Sequence, residues 1–129
     1  MEIVGPPPEL AGLECQALIC EGFVCKGEPV TTASVVHLCF AGSWHKLIID
    51  CGVIIWRQSA SMPVPWAVES EGWEYPHVDV GGTAGVIGHR LQHYEMTTIS
   101  DGGQVAFLFG NGRTIFIDNE NDRSTFRIA

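Results

Sequence analysis

Residues 104–128 read QVAFLFGNGRTIFIDNENDRSTFRI, and this stretch decides the fold class. Apolar and polar residues alternate in 104–109, 113–118 and 124–129, which is the period of a half-buried β-strand. The segments are separated by Gly110-Asn111-Gly112 and by the polar residues 119–123, and both sequences are typical of hairpin turns. The C-terminal part of the chain is therefore predicted to be an antiparallel β-meander.

The N-terminal half continues this pattern. Residues 14–25 and 30–40 are rich in β-branched and other apolar side chains and predict two strands. Residues 44–57 are apolar on both faces, which predicts one long central strand with a bulge at Cys51-Gly52, or a strand whose second face is covered by another chain. The whole pattern predicts a mainly β fold, an antiparallel sheet of about 7–8 strands arranged as a small barrel, a sandwich or a roll with little helix.

The chain has 129 residues, which favours a single domain over 1–129. We expect a three-strand N-terminal part over 13–57, a long acidic and aromatic loop over 58–89, and the β-meander over 90–129. Residues 83–95 could also suit a short helix, but their glycines weaken that interpretation.

The charge of the chain excludes some partners. There are 15 acidic and 7 basic residues, and the net charge is -8 at pH 7. Binding to nucleic acid or to an anionic membrane needs a basic surface, so we expect neither. The acidity instead favours a basic protein partner. The chain has five cysteines, an odd number, and its sequence shows neither an export signal nor a membrane-span pattern. These features predict free thiols and a cytoplasmic protein.

Residues 63–79 are the most informative stretch for function. Long loops in compact domains tend to be functional, and this one combines aromatic anchors with acidic side chains. Packing of the loop over the sheet explains the aromatics equally well. We interpret the protein as a binding protein rather than an enzyme, which recognises a protein partner or a small ligand and forms a homodimer. The residues predicted to bind are Trp66, Glu69, Glu71, Trp73, Glu74, Tyr75 and His77.

Histidines and a carboxylate supply an alternative hypothesis. His77 and Asp79 share a face if extended, and His89 and His93 share a face on a strand or a helix. Imidazole and carboxylate ligands suit a divalent transition metal, although the absence of any cofactor remains the main expectation. The pattern resembles cupins, small β-barrels with a histidine pair on one strand, but lacks their following glutamate and any histidine beyond 93. Cupin function is therefore not carried over, and the alternative hypothesis is a metal-dependent enzyme of cupin-like barrel type that uses His77, Asp79, His89 and His93.

Three further chemistries are weaker. A cysteine nucleophile could pair Cys39 with His37, or Cys51 with His45, although free cysteines usually behave as small apolar residues. Residues 118–122 offer oxygen atoms at alternate positions, yet a calcium loop would need Gly where Arg123 stands, so a hairpin turn is favoured. The carboxylates of the 63–79 segment could form an acid–base pair, but no spacing singles one out.

Overall fold

The computed structural model describes all 129 residues and confirms a mainly β fold with little helix. Twelve strands form one sheet of eight strands and one of four. The strands are β1 (Ile3–Val4), β2 (Cys15–Cys25), β3 (Glu28–Phe40), β4 (Ser43–Asp50), β5 (Val53–Ser59), β6 (Trp66–Val68), β7 (Trp73–Tyr75), β8 (His77–Asp79), β9 (Leu91–Ile99), β10 (Gly102–Phe109), β11 (Thr114–Glu120) and β12 (Arg123–Ile128). The only helices are a 3₁₀ turn at Glu69–Glu71 and α1 at Val80–Ala84, and no helix is long and apolar enough to cross a bilayer.

The two sheets are open and pack as a sandwich, so the barrel alternative does not hold. The larger sheet has the order β1-β5-β4-β3-β2-β7-β6, with β8 also paired to β2, and the smaller sheet has the order β12-β11-β10-β9. One face of the larger sheet and one face of the smaller sheet share a single cluster of 21 buried apolar residues. Residues of β2–β5 and β9–β11 enter this core, among them Leu18, Leu38, Leu47, Trp56, Phe107 and Ile117.

Residues 44–57 form a hairpin and not the single bulged strand that the sequence predicts. β4 pairs antiparallel with β5, and Asp50 lies opposite Val53, so Cys51 and Gly52 form a two-residue turn. Both turn residues have positive φ, 49° and 78°, which is the geometry that closes a two-residue hairpin. The N-terminal part therefore contains four long strands where three are expected, because the apolar pattern continues across the turn.

Residues 58–89, expected to be a loop, contain three short strands and α1. β7 and β8 pair with two successive parts of β2, and β6 pairs with β7. This segment therefore adds three short strands to the larger sheet on the β2 side. The helix that the sequence allows within 83–95 is shorter and begins earlier, at Val80. Asp79 caps α1, since its side chain accepts a hydrogen bond from the backbone N–H of Gly82 at 3.0 Å.

A buried polar contact joins the sheets at one end of the sandwich. The side-chain amide of Asn119 donates to the Ile49 carbonyl and to the Ser124 hydroxyl, at 3.3 and 3.1 Å. Its carbonyl oxygen accepts from the backbone N–H of Gly52 at 3.1 Å. A side chain on β11 thus supplies partners to the turn between β4 and β5.

Candidate functional site

A carboxylate and two imidazoles meet on the outer face of the larger sheet, which is the face turned away from the core. The Oε1 atom of Glu21 lies 2.8 Å from Nε2 of His77 and 3.2 Å from Nε2 of His37. An ionised carboxylate only accepts hydrogen bonds, so both imidazoles donate from Nε2. The two rings lie with their centroids 5.3 Å apart. We call these three residues the Glu–His–His cluster.

Strand register explains how three distant residues meet. Glu21 lies directly opposite His77 in the β2–β8 pair, while His37 lies opposite Ile19 in the β2–β3 pair. Side chains two positions apart on a strand share a face, so all three point outward. The core residues on β2 and β3, such as Leu18 and Leu38, occupy the alternate positions.

An irregularity in β2 at Gly22 lets the segment that contains Pro76 and His77 pack closely against this strand. The β2–β3 register shifts between Glu21 and Phe23, and the intervening Gly22 donates its backbone N–H to the Pro76 carbonyl at 2.9 Å. A Cβ atom at Gly22 would lie 2.9 Å from the Thr31 carbonyl oxygen, closer than real side chains approach. Gly22 therefore permits the close backbone packing that holds Pro76, and with it His77, beside Glu21.

The cluster is largely withdrawn from water. Glu21 is 7% exposed and His37 is 4% exposed, and the His77 side chain is only slightly more accessible. A buried carboxylate needs hydrogen-bond partners, and the two imidazoles supply them. Burial lowers the pKa of His37, and the hydrogen bond with Glu21 opposes that effect only in part. A shielded group of titratable side chains beside a cleft is a candidate functional site.

The cluster opens into a groove, which we call the outer groove, between the sheet face and residues 59–66. Its volume is about 380 Å³, within the size range of small-molecule sites. Glu21, His37 and Lys46 supply polar groups to its lining, whereas Met62, Val64 and Trp66 supply apolar surface. Met62 and Val64 are each 68% exposed and Trp66 is 50% exposed, so a substantial apolar surface faces solvent here.

Aromatic rings continue from the groove along the same edge of the sheet. Trp66 stacks on Tyr75, with centroids 3.9 Å apart and an interplanar angle of 8°. Tyr75 stacks on Phe23 at 5.2 Å, and Phe23 meets Trp73 edge-on at 6.3 Å. The sequence predicts Trp66, Trp73 and Tyr75 as binding residues, and the structure shows that they also hold the short edge strands together.

The acidic residues predicted to bind lie outside the outer groove. Glu69 and Glu71 are exposed on the 3₁₀ turn, and Glu74 is exposed on β7. None of them forms an ion pair within the chain. Of the predicted binding residues only Trp66 and His77 are at the groove or the cluster.

The four predicted metal ligands are not brought together. His77 belongs to the Glu–His–His cluster, and Asp79 caps α1. His93 is on the second sheet, where its Nε2 lies 3.1 Å from Oε1 of Glu95, and His89 is exposed just before β9. The two groups whose ligand atoms all lie within 4.8 Å of one another are Glu21, His37 and His77, and the exposed Asp50, Cys51 and Asp122.

Glu21 is absent from all of the predicted sites, and His37 is predicted only as a partner of Cys39 and not as a metal or binding residue. The sequence does offer a signal for Glu21, because it is the one charged residue inside the apolar run 17–25. A charge in a buried strand usually has a specific partner. Its partner His77 is 56 residues away, so no local spacing connects them.

The two cysteines predicted as nucleophiles, Cys39 and Cys51, and the buried Cys15 are poorly suited to nucleophilic chemistry. Burial raises the pKa of Cys15 to about 12 and also raises that of Cys39. Cys51 is exposed, but a hydrogen bond to Asp122 and the charges of Asp122 and Asp50 raise its pKa. A raised pKa leaves less thiolate, which is the reactive form. Residues 118–122, the calcium-loop candidate, belong to the β11–β12 hairpin.

Replacement of Asp122 by Asn should accelerate alkylation of Cys51. The variant removes the nearest negative charge, so the pKa of Cys51 falls and more thiolate is present at a given pH. Iodoacetamide labelling at neutral pH, followed by mass spectrometry, measures the rate at this site. Glu95→Gln, a remote change of the same charge, should leave the rate unchanged. An unchanged rate in Asp122→Asn would show that Asp122 does not control this thiol.

Comparison with known proteins does not assign this fold or site: no protein-family model, no curated protein and no solved structure matches the chain.

Proposed function

We propose that this protein binds a small molecule in the outer groove, with the polar head of the molecule at the Glu–His–His cluster and Lys46. The supporting observation is the combination of a shielded polar group of three titratable side chains with an exposed apolar wall in one groove. Small-molecule sites typically pair apolar surface with a few convergent polar groups that fix orientation. The free cysteines fit a reducing cytoplasm, which we propose as the location.

The charges in the groove indicate the class of ligand. Lys46 is its only lysine or arginine, and Glu21 is its only carboxylate and already accepts two hydrogen bonds. An anionic head can pair with the Lys46 ammonium group. A cationic head would instead compete with His37 and His77 for the Glu21 oxygen. An aromatic or aliphatic body can pack on Trp66 and Met62. The preferred ligand is therefore an anionic molecule with an apolar body.

Anilinonaphthalene sulfonate has both features and serves as the probe. We expect saturable binding to the folded protein, and we expect Trp66→Ala to weaken it about tenfold, which corresponds to ~1.4 kcal/mol. Lys46→Gln should also weaken it, because the ion pair is lost. Titration followed by probe fluorescence measures both, with far-UV circular dichroism as the check on folding.

Trp73→Ala is the matched control for this experiment. Trp73 is also an exposed tryptophan of the same aromatic row, but it does not line the outer groove. Its replacement should leave the affinity for the probe within about twofold of wild type. Equal weakening in Trp66→Ala and Trp73→Ala, or no change in either, would refute binding at the groove.

A basic protein partner is a second candidate, and a specific observation favours it. Exposed Trp73 is close in the chain to Glu69, Glu71 and Glu74, and none of these carboxylates forms an ion pair within the chain. Exposed aromatic anchors with polar or charged residues nearby are common at protein interfaces. The triple change of these glutamates to Gln would abolish capture of a basic partner but leave the groove probe unaffected. Self-association, expected from the apolar strand 44–57, stays a prediction that sedimentation velocity would test.

A further inference from the structure

We propose that the Glu–His–His cluster is the binding site of one divalent transition-metal ion, held by Glu21 Oε1, His37 Nε2 and His77 Nε2. This deepens the proposed function and rests on it in one respect, since the ion would offer an open coordination position to the anionic head of the ligand. The ligand set differs from the four residues that the sequence suggests, and it shares only His77 with them.

The distances between the donor atoms fit a common ion. With metal–ligand bonds of about 2.0–2.2 Å, neighbouring donors around one ion lie roughly 2.8–3.6 Å apart in octahedral or tetrahedral geometry. The two distances from Glu21 Oε1, 2.8 and 3.2 Å, fall in this range. All three donor atoms lie within 4.8 Å of one another. Small side-chain adjustments, together with a tautomer shift that moves each ring proton from Nε2 to Nδ1, suffice to place one ion among them.

The donor types select the class of metal. Two imidazole nitrogens and one carboxylate oxygen suit Zn²⁺, Fe²⁺, Mn²⁺ or Co²⁺ better than Ca²⁺ or Mg²⁺, which prefer oxygen ligands. A set of three protein ligands leaves further coordination positions free. Here Glu21 and His37 line the outer groove, so those positions would be reached from the groove.

The frame that carries the donors is rigid. Each ligand lies on a different strand, and β2, which carries Glu21, is hydrogen-bonded on one side to β3 and on the other to β8. Sites on strands are held more precisely than sites on loops. This distinguishes the cluster from Asp50, Cys51 and Asp122, which are exposed at or beside two hairpin turns.

Metal binding is tested on the full chain after treatment with a chelator. Native mass spectrometry with added Zn²⁺ should show one bound ion per chain, and calorimetry should give a Kd that rises about hundredfold or more in His37→Ala and in His77→Ala. Glu21→Gln should weaken binding while it preserves the shape of the side chain. His93→Ala and Cys51→Ser remove equivalent donors elsewhere and should leave the Kd unchanged.

Cobalt substitution identifies the ligands directly. A Co²⁺ complex of the cluster should show d–d bands without a thiolate charge-transfer band. The absorption spectrum of the Cys51→Ser complex should be the same. No binding by the wild-type chain, retention of the ion in both His37→Ala and His77→Ala, or a thiolate band lost in Cys51→Ser would overturn the proposal. Circular dichroism of each variant separates loss of the ion from loss of the fold.

The metal proposal and the ligand proposal can fail separately. Zn²⁺ binding that depends on His37 and His77, without any binding of anilinonaphthalene sulfonate, supports the ion and refutes the groove ligand. Probe binding that depends on Trp66, without Zn²⁺ binding, supports the groove ligand and refutes the ion. If both hold, the probe should bind more tightly to the zinc-loaded chain.

Discussion

Replacement of Trp56 by Ala is expected to lower the free energy of unfolding by about 3–5 kcal/mol, the range for removal of a large aromatic side chain from a core. Trp56 is 2% exposed on β5. Its indole Nε1 lies 3.4 Å from the Met96 sulfur, and its ring lies 5.3 Å from that of Tyr94. Both neighbours are on β9, so the side chain connects the larger sheet with the edge of the smaller one. Urea unfolding followed by far-UV circular dichroism measures the loss.

Two control variants test whether the loss of stability comes from the buried ring of Trp56. Trp56→Phe keeps an apolar ring and should cost clearly less than Trp56→Ala. Trp66→Ala removes the same side chain from the exposed edge strand and should cost less than half as much, because little buried surface is lost. A loss below about 1 kcal/mol for Trp56→Ala would contradict the packing of the two sheets around this ring.

Replacement of Asn119 by Leu is expected to cost roughly 2–4 kcal/mol although the new side chain is apolar and of similar size. Asn119 is 1% exposed and its amide satisfies three groups at the junction of the sheets. Leu would leave the partly buried N–H of Gly52 and the buried carbonyl of Ile49 without this partner, and unmet hydrogen-bonding groups withdrawn from water are costly. The same urea titration measures the change.

Ser124→Ala is the matched control for Asn119. The Ser124 hydroxyl donates to the Ile49 carbonyl at 3.2 Å, and this carbonyl also accepts from Asn119. Loss of the hydroxyl therefore leaves the carbonyl with one partner, and a cost well below that of Asn119→Leu is expected. Equal costs for both variants would show that the contact to Gly52 contributes little.

Local sequence predicts the hairpins of this fold well. The meander forms as the alternation in 104–128 indicates, and the predicted Gly110-Asn111-Gly112 turn is present, with positive φ at Gly112. The same reasoning is wrong at 44–57, where apolar residues on both sides of Cys51-Gly52 hide a turn. Alternation shows that a residue is in a strand, but it does not show where an apolar strand ends and the next begins.

The candidate site was predictable only in part. The aromatic content of 63–79 leads to Trp66, and the histidine count leads to His77, because both signals lie in the local sequence. The pairing of β8 with β2 determines the rest, and it joins residues separated by a large part of the chain. Strand order depends on tertiary packing and cannot be read from local spacing. Spacing along the chain therefore indicates Asp79, His89 and His93 as neighbours of His77, whereas the structure places His77 beside Glu21 and His37.

The terminal strands of the larger sheet, β1 and β6, are poorly suited to pair with another chain. One edge, β6, has three residues and follows Pro63 and Pro65, and the other, β1, has two residues and precedes Pro6, Pro7 and Pro8. Proline cannot donate a backbone hydrogen bond, and short edge strands offer little template for another chain. Sheet growth from copy to copy is thereby disfavoured at these two strands, so β9 and β12 of the smaller sheet are the longer edge strands on which a continuous sheet between two copies would form more readily.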